Sequence, residues 1–343
     1  MRIELLEILH CPVSHLPLEI DRSSSAHKGI SGENHVDDGD LVSSDGSYRY
    51  RIKGSIPRFV PQSNYADNFG MQWNYFSKTQ LDSNSGHPIS SDRFWKATGW
   101  LPEQLKDQWV LDIGCGSGRF AEVALNAGAK VVALDYSSAV DACYANLKHF
   151  PNLHVVQGDI YSLPFALESF QYVYSLGVLQ HTPSVSEAFA SLPAMVSPGG
   201  RLCVDYYWNR LFTVMHSKYL FRPITKRIPQ DKLFTLLKKT VPSMLSTSRV
   251  LGSVPLLGRI LKRIVPVADY TGVYPLSEQQ LREWALLDTF DMLSPTYDNP
   301  QKAKDIRLWM HEANFINIEV LHETLLVVRG QKPDTTGENK VLA

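Results

Sequence analysis

Between residues 106 and 207, short apolar runs alternate with segments of helical periodicity. The runs are WVLDI (109–113), KVVAL (130–134), LHVVQ (153–157), QYVYSL (171–176) and GRLCVDY (200–206). Nearly continuous apolar runs of this length are typical of strands buried on both faces. Helical segments of roughly 10–15 residues between such runs favour parallel strands over hairpins. The pattern therefore predicts an α/β fold with a doubly wound, mostly parallel sheet.

The segments on either side of this core have other patterns and predict other roles. They are a small module (1–62) with a short helix near 3–9, a helical cap or linker (63–105), a helical insertion (208–275), a C-terminal completion of the sheet (276–330) and a polar tail (331–343). In the completion, Asn299 and Pro300 have the residue types of a helix N-cap and first turn. INIEV and TLLVVRG then predict a final pair of strands.

The composition, 44% hydrophobic and 20% charged over 343 residues, is typical of a soluble globular protein. No stretch of about 18 uncharged apolar residues is present, which argues against a transmembrane helix. The first residues lack the apolar core of a signal peptide, so a cytoplasmic location is the default expectation. The four cysteines are scattered, mostly along predicted strands and helices, and a disulfide framework is not expected.

The total charge of −1 conceals a steep segregation. Residues 208–266 contain twelve Lys or Arg and one acidic residue, Asp231, for a net charge of +11, whereas the remainder carries −12. In LLGRILKRIV, apolar residues recur on one helical face, with Arg259, Lys262 and Arg263 on another. We expect a helical lid that recognises an anionic or amphipathic acceptor, or that contacts a membrane peripherally. A lid whose apolar face packs on the core fits equally well.

A glycine-rich turn, VLDIGCGSGRF (110–120), follows the first predicted core strand. Gly114, Gly116 and Gly118 allow a ligand to approach the backbone closely, and the first strand–helix turn of such a sheet lies at the ligand crevice. Their spacing is G-x-G-x-G, not the G-x-G-x-x-G of dinucleotide sites. Asp112 precedes the turn, where an acid suits a cationic, amino-acid-bearing ligand. A capping role for Asp112 is the alternative.

This turn resembles the first motif of class I S-adenosylmethionine-dependent methyltransferases. The segments YVYSLGVLQHTPSVSEAF and VSPGGRL extend the resemblance over residues 106–207, and the ubiquinone- and menaquinone-biosynthesis branch is the most similar. The resemblance implies a Rossmann-like sheet, S-adenosyl-L-methionine as cofactor, and Asp112 with the three glycines as part of its site.

Residues at the ends of the next strands acquire roles by the same resemblance. Asp135 is expected to bind both ribose hydroxyls, with Tyr136 beside it. Asp159 is expected at the adenine amino group, Ile160 on the adenine ring, and Leu176 at the end of the fourth strand. Taken singly, the two acids also fit solvated strand ends.

The aromatic segment before the core, with NFGMQWNYF and DRFWKATGW, resembles the helical cap of many relatives. By this resemblance Phe69, Gln72 and Trp73 close over the cofactor. Arg93 is expected to pair with the methionine carboxylate, because a guanidinium binds a carboxylate through two hydrogen bonds. Packing between the cap and the core is the alternative for the aromatic residues.

Three residues are candidates for a proton acceptor during methyl transfer. His181 follows the fourth core strand and is expected to face the crevice, with loop capping as its alternative role. Asp288 and Asp291, in LLDTFDMLSPTYD, fit a segment folded back over the cavity or a surface loop capped by its own aspartates. Oxygen and carbon acceptors that carry a proton at the reacting atom need such a base.

The N-terminal module resembles the small zinc-ribbon proteins that act as methyltransferase activators, but lacks their paired cysteines. Cys11 is its one thiol, with Ser14, Ser43 and Ser44 near the other expected ligand positions. One thiol cannot build a tetrahedral structural zinc site. We expect the module to fold against the catalytic domain without a metal.

The function predicted from these features is methyl transfer to a small-molecule, glycan or lipid-intermediate acceptor. The first alternative is an RNA methyltransferase, favoured by the basic insertion and the activator-like module. The segment SLGVLQHT lacks an asparagine-proline-proline-tyrosine type motif, which argues only against amino-group methylation of planar bases. The second alternative is a non-catalytic scaffold that binds S-adenosylmethionine.

Overall fold

A computed structural model of the chain describes residues 1–21, 34–61, 66–209, 217–322 and 325–334. Its strands are β1 Leu18–Ile20, β2 Gly39–Ser43, β3 Arg49–Lys53, β4 Ile56–Arg58, β5 Trp109–Ile113, β6 Lys130–Asp135, β7 Leu153–Gln157, β8 Phe170–Ser175, β9 Val196–Tyr206, β10 Ile316–His322 and β11 Leu326–Gln331. Its helices are α1 Asp67–Tyr75, α2 Asp82–Ser85, α3 Ile89–Thr98, α4 Pro102–Leu105, α5 Arg119–Asn126, α6 Ala139–Leu147, α7 Val185–Ala190, α8 Ser217–Thr225, α9 Gln230–Gly252, α10 Gly258–Leu261, α11 Glu278–Leu293 and α12 Ala303–Glu312. Most of the predicted polar tail and residues 210–216 of the insertion lie outside these ranges.

The described strands form one sheet in the order β1-β2-β3-β4-β7-β6-β5-β8-β9-β11-β10. The strands from β4 to β9 in this order pair in parallel. The pairs at both edges are antiparallel. The predicted α/β class with a Rossmann-like, mostly parallel central sheet is confirmed.

The central strands are buried on both faces. In β6, Val131 and Ala133 belong to the apolar cluster on one face, and Val132 and Leu134 to the cluster on the other. Because successive side chains point to opposite faces of a sheet, such a strand needs successive apolar residues along its central part. The five predicted core strands are all present, although β9 begins at Val196, before GRLCVDY.

The N-terminal module extends the sheet. β4 pairs with β7 at Arg58 and Gln157, and Arg58 Nη1 donates to Gln157 Oε1 at 2.7 Å. A bridge between Leu9 and Phe165 adds a second contact with the core. The short helix expected near residue 3 is a 3-10 helix, Ile3–Glu7. The module thus folds against the core by continuing its sheet.

Helices α8 and α11 face the space at the carboxyl ends of the central strands, and we call residues 217–293 the lid. Helix α11 packs on α9 through buried apolar side chains, which include Leu233, Leu237, Val241, Leu245, Ala285, Phe290 and Leu293. The lid also contacts the cap, since Lys238 Nζ donates to Tyr75 Oη at 3.0 Å. The sequence pattern predicted that residues 276–330, which include α11, complete the sheet. The contacts of α11 join it to the lid, whereas β10 and β11 complete the sheet as predicted.

The segment LLGRILKRIV is helical over Gly258–Leu261, and a 3-10 helix follows. Leu257, Ile260 and Ile264 each expose more than half of their surface. The alternative in which this apolar face packs on the core is therefore wrong. The side chain of Arg259 lies outside the part of the chain that the structure describes. In the described ranges, no helix has the length and apolarity needed to cross a bilayer.

Helix α12 begins at Ala303, so the prediction that Asn299 and Pro300 begin it is wrong. Asn299 is held by the loop that follows β8: its backbone N–H donates to Gln180 O at 2.9 Å and its Nδ2 to Thr182 O at 3.1 Å. These tertiary hydrogen bonds keep the segment extended and delay the helix.

Candidate active site

A cavity of about 1350 Å³ lies where β5, β6 and β8 end. Its walls come from the turns after these strands, from cap helices α1 and α3, and from the lid. Pockets for one small ligand typically span roughly 300–1,000 Å³. The cavity therefore has room for a cofactor and a second molecule beside it.

The predicted site residues divide into two groups. Those that line the cavity are Arg93, Gly114, Gly116, Asp135, Tyr136, Ile160, Leu176, His181, Asp288 and Asp291. The others, Gln72, Asp112, Gly118 and Asp159, are described by the structure but lie outside the cavity wall. The strand-end residues and the distant lid acids thus meet in one cavity.

The turn after β5 requires glycine at two cavity-lining positions. Gly114 has φ +80° and Gly116 has φ +54°, a region that other residues seldom adopt. A Cβ on Gly114 would lie 2.4 Å from the Val178 side chain, and one on Gly116 would lie 3.1 Å from the Trp73 ring. A Cβ on Gly118 would lie 2.5 Å from Leu147, so this glycine serves the packing of α5 on α6.

Asp135, at the end of β6, ties the glycine turn to its own strand end. Its Oδ2 accepts from Gly116 N at 2.9 Å, and its Oδ1 accepts from Ser137 N at 2.8 Å and Ser137 Oγ at 2.7 Å. Burial raises the pKa of this carboxyl. The carboxylate also lines the cavity, so Asp135 is placed to meet a ligand hydroxyl.

Asp112 lies beneath the turn, with 2% of its surface exposed. Its Oδ2 has no hydrogen-bond partner among the described residues. Burial raises the pKa of Asp112 to about 8, and the charge of Asp135 adds to this effect. At neutral pH the folded protein therefore holds this carboxyl mainly in its protonated form.

The turn after β7 presents its apolar residue to the cavity and turns its acid elsewhere. Ile160 lines the cavity, whereas the Asp159 carboxylate accepts from the backbone N–H of Tyr161 at 3.0 Å. Tyr136 and Leu176 also line the cavity. The expected adenine site keeps its apolar contact, while Asp159 caps its own turn in this structure.

The cap contributes aromatic rings and an arginine. Phe69 and Trp73 line the cavity, whereas Gln72 is fully buried outside it, and its amide has no partner among the described residues. Arg93 lines the cavity but is ion-paired, with Nη2 at 2.8 Å from Asp205 Oδ2. About a third of the Arg93 side chain, 31%, stays accessible.

Arg119, which the sequence pattern did not indicate as a site residue, is a second cavity-lining guanidinium. Its Nε donates to Ser90 Oγ and its Nη1 to Gln80 Oε1, each at 2.9 Å. The guanidinium also lies 5.4 Å from the Trp284 ring centroid. No carboxylate of the described residues lies within ion-pair distance, and burial lowers its pKa to about 10. A buried cation without a carboxylate partner fits an anionic ligand group.

Asp288 stands in the lid wall of the cavity, held by two donors. Gln80 Nε2 donates to its Oδ1 at 3.1 Å, and Tyr270 Oη donates to its Oδ2. Burial raises the pKa of Asp288 to about 6. Because α11 is a helix facing the cavity, the surface-loop alternative for this segment is wrong.

Asp291 and His181 have weaker or buried contacts. Tyr207 Oη donates to Asp291 Oδ2 at 3.3 Å. His181 Nδ1 lies 3.0 Å from the Tyr297 carbonyl oxygen, which can only accept, so Nδ1 carries the proton. Its Nε2 is buried without a partner among the described residues. His181 therefore caps a loop through its Nδ1.

Two basic residues of the insertion anchor the lid. Lys218 Nζ lies 2.9 Å from Asp298 Oδ2, and Arg222 Nε lies 3.6 Å from the same oxygen. Arg222 also donates to the carbonyl oxygens of Met292 and Pro295. These two cations are buried inside the protein and do not contribute to a surface charge.

In the N-terminal module, Cys11 is buried and its Sγ is surrounded by local donors. Val13 N and Ser14 N lie 3.4 and 3.3 Å from it, and Tyr50 Oη lies 3.1 Å away. Ser43 Oγ donates to Asp45 at 2.5 Å. Within the described ranges, no three His, Cys, Asp or Glu side chains are grouped closely enough to hold a metal ion.

Comparison with known proteins identifies the central segment. Residues 111–204 match the family described as a methyltransferase domain. The tRNA U34 carboxymethyltransferase of Pseudoalteromonas translucida is 38% identical over 131 residues, which are 35% of this chain and 40% of that protein. The demethylmenaquinone methyltransferase of Renibacterium salmoninarum is 31% identical over 131 residues, or 37% of this chain and 53% of that protein. The sterol 24-C-methyltransferase of Pneumocystis carinii is 33% identical over 115 residues, which are 32% of this chain and 29% of that protein.

These similarities concern one part of the molecule. The chain spans about 40% of the length of the first of these relatives, and the family match begins in β5 and ends in β9. It includes the glycine turn, Asp135, Ile160 and His181. This part of the chain is therefore a class I S-adenosylmethionine-dependent methyltransferase domain, with S-adenosyl-L-methionine as its cofactor.

Proposed function

We propose that the whole chain transfers a methyl group to a small-molecule, glycan or lipid-intermediate acceptor of anionic or amphipathic character. The observation that carries the proposal is the single cavity shared by the glycine turn and the lid. Gly116 and Asp135 belong to one part of its wall, and Tyr270 and Asp288 to another. An acceptor under the lid would lie beside a cofactor held at the turn.

The residues at the turn fit S-adenosylmethionine, which supplies a methyl group already activated as part of a sulfonium. Asp135 brings a carboxylate to the cavity wall for the ribose hydroxyls, and Arg119 offers a guanidinium to the methionine carboxylate. Phe69 and Trp73 exclude water from this half of the cavity. Orientation of the two ligands is then the main contribution of the chain to the rate.

For an acceptor hydroxyl, Asp288 is the proton acceptor that we favour. Its pKa of about 6 lies close to neutral pH, where a carboxylate is both ionised and basic enough to act. Gln80 and Tyr270 fix its position. His181 is the less favoured candidate. Its Nε2 is buried, and the neighbouring rings of Phe69 and Tyr207 would have to move aside before an acceptor could reach it.

The pH dependence of kcat/KM separates these two candidates. With Asp288 as base, the rate falls below about pH 6, and Asp288→Asn lowers it about 10²–10⁴-fold and removes this limb. Asp291→Asn, one turn further along α11, keeps the limb. A limb that persists in Asp288→Asn and disappears in His181→Gln would transfer the role to the histidine.

RNA remains the second candidate acceptor. The relative from Pseudoalteromonas translucida is named for tRNA U34, and several cations of the lid are exposed. The relative from Renibacterium salmoninarum, named for demethylmenaquinone, instead supports the quinone-biosynthesis-like branch. The N-terminal module, as a built-in counterpart of the activator proteins, is compatible with both.

The test uses the full-length chain and calorimetry with S-adenosylmethionine and, as a control, NADH. Binding of NADH without binding of S-adenosylmethionine contradicts the proposal. Methyl-labelled cofactor is then supplied with membrane lipid extract, oligosaccharides or total tRNA. Label in the lipid or glycan fraction supports the favoured acceptor class, and label in tRNA supports the alternative. Cofactor binding with no transfer to any fraction favours the non-catalytic scaffold.

A further inference from the structure

The corner where α9 meets α10 exposes an unusual amount of apolar surface. We call six of its side chains the apolar tip: Val250, Val254, Leu256, Leu257, Ile260 and Ile264. Each exposes at least 39% of its surface, and Leu256 is completely exposed. Helix α9 already has a packed face, which buries Leu233, Leu237, Val241 and Leu245. The tip is therefore apolar surface beyond what the lid needs for its own packing, and such patches mark contact sites.

The charge around the tip has one sign. Residues 232–266 contain seven Lys or Arg and no Asp or Glu. Lys262 and Arg263 lie within the 3-10 helix that ends at Ile264. The next acid, Asp269, accepts from Ser248 Oγ at 2.8 Å, and Arg249 is paired with Glu278 at 3.0 Å. An apolar centre beside basic groups complements an anionic lipid surface.

The alternatives fit this surface less well. RNA would be attracted by the cations but gains nothing from six exposed aliphatic side chains, because stacking requires aromatic rings. A second copy of the chain would bring the same positive charge against the tip, which opposes association. A bilayer satisfies both the apolar and the basic part.

The tip lies next to the mouth of the cavity. Arg263, which lies between Ile260 and Ile264, lines the cavity, as do Ala268 and Val273, which follow the tip along the chain. Val273 is 60% exposed. The surface that would face a bilayer is thus continuous with the entrance to the space under the lid. An amphipathic molecule could pass from the membrane to Asp288 without crossing water.

We propose that the apolar tip inserts into an anionic phospholipid bilayer and sets the mouth of the cavity at the membrane surface. The acceptor is then a molecule embedded in the membrane, which enters from the bilayer side. The statement about the acceptor rests on the proposed function, whereas membrane docking stands independently of it.

The experiment is sedimentation of the full-length chain with vesicles of phosphatidylcholine alone or mixed with phosphatidylglycerol. We expect about tenfold or tighter binding to the mixed vesicles, weakened by added salt. The combined Leu256→Ser, Leu257→Ser and Ile260→Ser variant should bind them at least about tenfold more weakly. The control, Leu167→Ser with Leu308→Ser, removes exposed leucines outside the lid and should bind like the parent.

Several results would overturn the inference. The first two are equal binding to both vesicle types and parent-like vesicle binding by the triple variant. The third is a dimer in solution that depends on the tip. The fourth is binding to tRNA that is tighter than binding to vesicles and is unchanged in the triple variant. Calorimetry with S-adenosylmethionine separates a failure of membrane docking from a failure of the proposed function. The triple variant should bind the cofactor with the affinity of the parent. Vesicle binding by a chain that does not bind the cofactor would refute only the methyltransferase proposal.

Discussion

Replacement of Asp112 by asparagine tests the electrostatics beneath the glycine turn. Burial raises the pKa of Asp112 from 3.8 to about 8. Between these values the unfolded chain releases a proton that the folded chain keeps, so the contribution of this group to stability is greatest below about pH 4 and falls as the pH rises towards 8. One pKa unit corresponds to about 1.36 kcal/mol. Ionisation of Asp112 in the unfolded chain therefore lowers the free energy of unfolding by about 1.7 kcal/mol at pH 5 and by about 4 kcal/mol at pH 7, relative to low pH.

Asp112→Asn removes this titration and keeps the shape of the side chain. Any fixed cost of the buried amide is the same at both pH values and cancels. The difference in the free energy of unfolding, variant minus parent, should therefore increase by about 2.5 kcal/mol between pH 5 and pH 7. Urea denaturation without cofactor at pH 5, 6 and 7 measures this gain, with Asp231→Asn, an exposed lid acid, as the control. A difference that stays constant within about 0.5 kcal/mol would show that Asp112 is ionised in the fold and the reasoning incorrect.

Three further predictions concern the cofactor and the N-terminal module. Asp135→Asn should lower the affinity for S-adenosylmethionine about tenfold or more in calorimetry, because a charge-assisted hydrogen bond contributes about 1.5–3 kcal/mol; unchanged affinity would place the ribose elsewhere. Arg119→Gln should lower the same affinity about 10–100-fold, whereas Arg282→Gln, an exposed arginine of α11, should not, and equal losses would contradict an anchoring role. Elemental analysis of the purified chain should find no stoichiometric zinc, and a zinc that survives dialysis and is lost in Cys11→Ser would show the opposite.

The parts of the fold that the sequence predicted well are those in which burial dictates composition. β6 lies between two apolar layers, so Val131 to Leu134 of KVVAL had to be apolar, and this run predicted the strand from the sequence alone. The glycine turn was equally predictable, because Gly114 and Gly116 both have positive φ, and a Cβ on Gly114 would lie 2.4 Å from the Val178 side chain. In both cases a local constraint acts on successive residues.

The parts that the sequence did not reveal depend on partners distant along the chain. Arg119 is held by Gln80 and Ser90, some 39 and 29 residues away, and lies against Trp284 of the lid. Asp112 and Asp135 are both aspartates at the ends of neighbouring strands. Only the structure shows that Asp135 lines the cavity and that Asp112 lies beneath the turn. The start of α12 was misplaced for the same reason, since loop contacts hold Asn299 outside the helix.

The pairing of β4 with β7 has a consequence for how the molecule can be divided. Without residues 1–61, β7 would become an edge strand of the sheet, with backbone groups open to pairing with other chains, and such edges favour aggregation. A partner that supplied the missing strand as a separate protein would have to be present in sufficient amount. Here the strand is tethered, and a short tether corresponds to an effective concentration of about millimolar. The module therefore covers the edge of β7 at every expression level, and dilution does not dissociate it from the domain that it completes.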